Sequence, residues 1–178
     1  MKKLLSIILV LMLALTLMTS CGNNEQKQPV SEGPKASGEG IFPAIAKEDI
    51  KVGVIHIGNP ADGSGYSYAH DQGIIAMQKA LGLSDSQIIR KNNVNDTDPT
   101  ATEAAMLECI EEGANIIFGT SWGYMDTMEA LAEEYPDVIF SHGSGYKSNG
   151  KNFNNYFGRI YQARYLTGIA AGLKTKTN

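Results

Sequence analysis

Asp62, His70 and Asp71 lie close together in the chain, and with His56 and His142 they are the groups that could move a proton or hold a metal. Their spacing speaks against both roles. Neither His-x-x-x-His nor Cys-x-x-Cys occurs, and those are the spacings that set two ligands on one face. His70, Ile74, Met77 and Leu81 share a helical face, which makes His70 a packed core histidine. Gly63-Ser64-Gly65 lacks both the Lys-Ser/Thr of a phosphate loop and the spacing of a dinucleotide fingerprint. No nucleophile with a base beside it stands out, so no catalytic residue, metal ligand or cofactor is assigned. Asp62 differs, because it sits in a turn-rich stretch where a carboxylate accepts hydrogen bonds from ribose hydroxyls or ring nitrogens.

Aromatic residues recur beside glycine in three such stretches: Tyr66 and Tyr68, Trp122 and Tyr124, and Tyr146. Ser121 and Gly143 stand in the second and third of them. Rings next to exposed amides and hydroxyls suit a flat polar heterocycle bearing a sugar, and a purine nucleoside fits that description. Rings that merely cap a sheet are the alternative reading of the same residues.

The elements that must position these loops follow from the hydrophobic pattern. Lys51–Ile57, Gln87–Lys91, Ala114–Phe118, Val138–Phe140 and Phe153–Phe157 are apolar or β-branched runs of strand length. Helical spacing holds over Tyr66–Leu81, from Asp98-Pro99 through Cys109, over Met125–Tyr135 and over Ile160–Lys174, where Gly168 and Gly172 allow close packing. Asp98-Pro99 is an N-cap followed by proline at the first helical position, and Gly82 ends the first helix. Strand and helix alternate, so the fold class is α/β with a doubly wound parallel sheet. Ligands of such sheets lie beyond the carboxyl ends of the strands, which is where the three aromatic loops fall.

Composition bounds the partners. Of 178 residues 43% are hydrophobic and the formal charge is −4, which becomes −6 once Lys2 and Lys3 leave with residues 1–20. Nucleic acid is excluded as a partner for so acidic a body. Met1–Cys21 has the parts of a secretion signal: Lys2-Lys3, an apolar run over Leu4–Met18, and Thr19-Ser20 before Cys21. Leu17-Met18-Thr19-Ser20-Cys21-Gly22 is similar to a bacterial lipobox, which makes Cys21 the lipidated N-terminus of a protein anchored at the outer face of the cell membrane. Residues 21–40 are polar, with glycine, proline and serine, and read as a flexible tether. The body then runs over 41–178. Cys109 falls on the apolar face of a helix and is expected to be a buried hydrophobe.

Several separated motifs together resemble one family. Gly53-Val54-Ile55-His56-Ile57-Gly58 leads into Asp62-Gly63-Ser64-Gly65-Tyr66-Ser67-Tyr68-Ala69-His70-Asp71-Gln72-Gly73. Phe118-Gly119-Thr120-Ser121-Trp122-Gly123-Tyr124-Met125-Asp126 follows, and then Asn155-Tyr156-Phe157-Gly158-Arg159-Ile160-Tyr161-Gln162-Ala163-Arg164-Tyr165-Leu166. From about Lys51 onward this resembles the basic membrane protein family of solute-binding lipoproteins. The resemblance implies a type I periplasmic-binding fold whose two α/β lobes close on a purine nucleoside or base, with an ABC permease as partner. This chain would be the N-terminal lobe, without the second. The resemblance also implies ligand contacts from Asp62, Tyr66 as the stacking ring, Ser121, Trp122, Tyr124 and Gly143, and structural roles for Arg159 and Arg164; Tyr68 joins the expected ligand residues from the aromatic pattern of the first loop alone. Two other classes stay open: an extracytoplasmic nucleoside-processing enzyme with Asp62 as base and His142 as acid, and a ligand-sensing domain on the same fold.

Overall fold

A computed structural model describes residues 42–176. The expected signal, Cys21 and the expected tether lie outside the described residues. Five strands, β1 (Val52–Ile55), β2 (Ile88–Lys91), β3 (Ile116–Gly119), β4 (Ile139–Gly143) and β5 (Phe153–Tyr156), form one sheet in the order β2-β1-β3-β4-β5. Every neighbouring pair is parallel, with Val52 opposite both Ile88 and Ile116, Ile116 opposite Ile139, and Phe140 opposite Phe153. The helices are α1 (Gly65–Leu81), α2 (Pro99–Glu111), α3 (Met125–Glu134) and α4 (Ile160–Lys174). Strands and helices agree with the sequence expectation to within a few residues. Short 3₁₀ turns at Pro60–Asp62 and Trp122–Tyr124 add detail inside two of the aromatic loops.

Local chemistry explains the punctuation. Asp98 accepts hydrogen bonds from the Thr100 and Ala101 amides through Oδ1, with Pro99 behind it, so α2 starts there. Gly82 ends α1 in the left-handed conformation at φ 64°, which only glycine adopts without a Cβ penalty.

Strand alternation divides the interior between the two sheet faces. On one face Ile55, Ile89, Ile117, Phe140 and Phe153 pack with Met106 and Cys109 of α2 and with Met128 and Leu131 of α3. A Cβ on Gly53 would stand 3.0 Å from Cys109 Cβ, and one on Gly119 would stand 2.3 Å from Met128 Sδ. These two strands therefore need glycine to let both helices approach. Cys109 is fully buried and its thiol is pushed up to about 12 by burial, in accord with the hydrophobic reading.

On the opposite face α1 covers Val52, Val54 and Ile88 with Ile74, while Ile116 and Phe118 are only partly buried. A parallel 2-1-3-4-5 order with right-handed crossovers sends α1 to one side and α2 and α3 to the other. Of the helices that join strands only α1 lies on this face, over β1 and β2, so its β3–β5 half is left open. Phe42, Pro43 and Ile45 border a groove there with Ile50, Met77, Ile116 and Ile139. α4 has no buried residue, and Tyr165, Leu166 and Leu173 are among its exposed side chains. Nothing lies within 4 Å of where a Cβ on Gly168 or Gly172 would be, so the close packing expected of these glycines is not made among the described residues.

Candidate functional site

Three strand-end loops and the end of β5 meet beyond the carboxyl edge. Asn59 Oδ1 accepts from the Ala61 amide to start the 3₁₀ turn, Gly63 follows at φ 74°, and Gly65 opens α1. Ser67, one turn into α1, accepts from the Gly58 amide at 2.9 Å and pins the loop to the helix. Tyr66 is thereby held at the rim, with 49% of its surface exposed. Gly143 pairs with Tyr156 across β4 and β5, and a Cβ on Gly143 would stand 3.2 Å from the Tyr156 hydroxyl. Ser144 follows at φ 69°, a left-handed backbone for a non-glycine residue, and its hydroxyl donates to the Gly143 carbonyl. Such strain costs about 1–3 kcal/mol and collects at sites where geometry matters more than stability.

Tyr66, Ser144 and Tyr156 line one concavity of about 350 Å³ with His70, Phe157, Gly158, Ile160 and Arg164. Tyr66 Oη and Ser144 Oγ stand 3.5 Å apart, joining the first loop to the third. The His70 ring lies 4.5 Å from Tyr66 and 6.4 Å from Tyr156, and Tyr156 meets Phe118 edge-on at 6.3 Å. Burial first, and then the neighbouring Tyr66, push the Tyr156 phenol up to about 12, so it is a neutral donor at any physiological pH.

Trp122 and Tyr146 form a second, more exposed pair, with ring centroids 5.8 Å apart and 56% and 69% of their surfaces open. Lys147 explains the pairing. Its ammonium donates to Asp126 at 2.8 Å and Glu129 at 2.6 Å on the first turns of α3, which lays the third loop against the second. Those partners raise the Lys147 ammonium well above its usual range.

Beneath these rims is a layer of buried polar groups. His142 is fully buried and donates through Nε2 to the Ser121 carbonyl at 2.7 Å, while Nδ1 has no partner. A Cβ on Gly145 would stand 2.0 Å from that Nδ1, so the third loop rests directly on the imidazole. Burial lowers the His142 pKa, and the ring stays neutral. Ser121 in turn donates to Asp96 at 2.7 Å. His56, also fully buried, faces Asp71 through Nε2 at 3.3 Å, and Arg90 Nε donates to the same Asp71 oxygen at 2.7 Å. Burial outweighs Asp71 and lowers the His56 pKa.

The residues expected from the sequence therefore occupy different places. Tyr66 lines the concavity, Gly143 abuts the Tyr156 hydroxyl without lining it, and Trp122 belongs to the second pair. Asp62 is exposed at the tip of the first loop. Tyr68 is half-buried on α1 and lines neither ring group. Ser121 is buried beneath the second loop. Tyr124 is fully buried, and its hydroxyl donates to the Val94 carbonyl at 2.6 Å, so its ring belongs to the core and braces the loop from behind. His70, expected in the core, is half-exposed and lines the concavity, because the N-terminal half of α1 borders the open half of the sheet face. Arg159 and Arg164 make no ion pair among the described residues, and Arg164 faces the same concavity. Ser144 and Tyr156 were missed in sequence; the Gly143–Tyr156 register that joins them is set by pairing, not by a local motif. Among the described residues no cluster of His, Cys, Asp or Glu has metal-binding geometry, and no helix is long and apolar enough to cross a membrane.

Comparison with known proteins adds a family. The model of the family described as ABC transporter substrate-binding protein PnrA-like matches residues 50–178. A purine-binding protein of Brucella abortus is 37% identical over 133 residues, which are 75% of this chain and 37% of that protein. A protein of Haloferax volcanii, named as an ABC transporter glucose-binding protein, is 36% identical over 114 residues, 64% of this chain and 28% of that one. Among solved structures, an ABC transporter solute-binding protein from Conexibacter woesei superposes with a TM-score of 0.54 at 23% identity, over 69% of this chain and 40% of that one. The chain thus spans roughly a third of the length of the curated relatives it matches.

Proposed function

This chain belongs to the PnrA-like family of ABC transporter substrate-binding proteins, and from that premise we propose that it binds a purine nucleoside or base outside the cytoplasm and hands it to an ABC permease. Lipid on Cys21 and the tether after it would keep the body at the membrane surface. The observation that carries the ligand class is the meeting of Tyr66, Ser144 and Tyr156 around one concavity at the carboxyl edge of the sheet. Rings and hydroxyls in one hollow suit a flat heterocycle with polar edges. Two relatives, one named as purine-binding and one as glucose-binding, support a ligand that joins a base to a sugar.

In this reading Tyr66 stacks on the base, and Trp122 gives a second platform. Asp62 accepts from ribose hydroxyls, Ser121 and Gly143 shape the loops, Tyr124 braces the second loop, and Tyr68 supports the first from α1. A second lobe closes over the edge and removes the ligand from water. The protein binds without turnover. Calorimetry on the full-length protein with nucleosides, free bases and glucose tests the ligand class, and binding of glucose alone would refute the purine assignment. A fixed-time assay separating nucleoside from free base tests turnover; release of base would replace the receptor by an enzyme. Replacing Cys21 by Ser is expected to abolish lipid labelling, and detergent-phase partitioning that survives the change would remove the anchor from the proposal.

A further inference from the structure

Among the polar groups lining the concavity, the Tyr66 and Ser144 hydroxyls are already engaged, and the Tyr156 phenol is a donor. Ser144 gives its proton to the Gly143 carbonyl, and its oxygen faces the Tyr66 hydroxyl. Arg164 has donors and no acceptor. His70 is different: its ring is fixed between Tyr66 and Tyr156, yet neither of its nitrogens has a hydrogen-bond partner among the described residues. The two other histidines contrast with it, since His56 faces Asp71 and Thr120 and His142 donates to Ser121. A ring held by aromatic contact, with its nitrogens uncommitted and facing a hollow of about 350 Å³, is arranged to bond something that enters.

We infer that His70 sets the specificity of this site, by hydrogen-bonding the edge of the heterocycle that Tyr66 and Tyr156 flank. The inference rests on the purine reading above and deepens it. Burial, followed by the nearby His56, lowers the His70 pKa, and a neutral imidazole offers one donor and one acceptor, where an imidazolium offers donors alone. The six-position of a purine is where such a group discriminates, because an amino group there donates and an oxo group accepts. The tautomer that presents a bare nitrogen accepts from the amino group and the one that presents N–H donates to the oxo group, so the tautomer favoured in the hollow bonds one ligand and leaves a polar group unpaired against the other.

The test uses the full-length protein titrated with adenine, hypoxanthine, adenosine and inosine, with thermal unfolding followed in parallel. His70→Phe keeps a ring against Tyr66 and removes both nitrogens. It is expected to weaken the preferred ligand by about tenfold and to collapse the ratio between six-amino and six-oxo partners, with the unfolding temperature little changed. His70→Gln, which restores a donor and an acceptor, is expected to recover part of the loss. Unchanged affinities in His70→Phe, or a uniform loss with the ranking intact, would overturn the inference and leave the purine reading standing. Failure of the unsubstituted protein to bind any of the four would overturn the purine reading itself. His70→Ala is read by the same ranking if the phenylalanine variant does not fold.

Discussion

The two faces of the sheet are built from similar strands and used differently. The face under α2 and α3 is sealed: Met106, Cys109, Ile117, Met128 and Phe140 are all at 0% exposure, and Gly53 and Gly119 are shaped to the helices above them. The α1 face holds Val54 just as tightly but leaves Phe118, Ile116 and Ile139 partly open, and His70 and Tyr156 border the open half. Close packing specifies one arrangement and resists change. A half-covered face leaves side chains with unspent contacts, and here they lie next to the strand ends where ligands of such sheets bind.

The largest expected effect sharpens this contrast directly. Phe140→Ala should cost about 3–5 kcal/mol, as for other fully buried aromatics, and Phe118→Ala clearly less; urea unfolding measures both, and equal losses would mean that the open half is covered in solution. Gly119→Ala should cost about 1–3 kcal/mol by overpacking against Met128, and a neutral result in the same assay would show that α3 can give way. Acid should also reach the sealed side. His142 has its pKa lowered below the ordinary 6.5 by burial, so the unfolded chain takes up the proton first. Stability is then fully present above about pH 6.5 and falls as pH drops through the lowered value. Urea midpoints from pH 7.5 to 5 should show this decline, less steeply in His142→Asn; His56 and His70 shift in the same direction and keep part of the slope. The smallest effect is on the open side: Gly73 sits within α1 with nothing within 4 Å of a built Cβ, so Gly73→Ala should stabilise by about 0.5–1 kcal/mol, and destabilisation would mean that the surface there is occupied.

What was legible in the sequence follows the same division. The strands announced themselves as β-branched runs, and Asp98-Pro99 and Gly82 marked a helix start and a helix end, because those signals are local. The loops that form the site were legible for the same reason. The inward or outward sense of single rings was not. Trp122 and Tyr124 are neighbours in sequence, but the 3₁₀ turn between them sends one to solvent and the other to the Val94 carbonyl. His70 keeps the helical spacing of a core residue with Ile74 and Met77, and only the missing helix over β3–β5 makes that position a rim. Tyr156 joined the site through its register with Gly143, which depends on residues beyond any window along the chain.

The strand order has a consequence for how this protein is made. β1 is the first strand to emerge, yet it lies between β2 and β3, and its second partner is complete only at Gly119. Until then one edge of Val52–Ile55 is bare, and closing it means joining segments about 65 positions apart, as the Thr120 hydroxyl does when it bonds the Ile55 carbonyl. Such distant pairings fold slowly, because chain entropy is spent before contacts repay it. A chain whose folding waits in this way exposes the bare edge of Val52–Ile55 for longer after synthesis, and an unpaired strand edge is where another chain can pair.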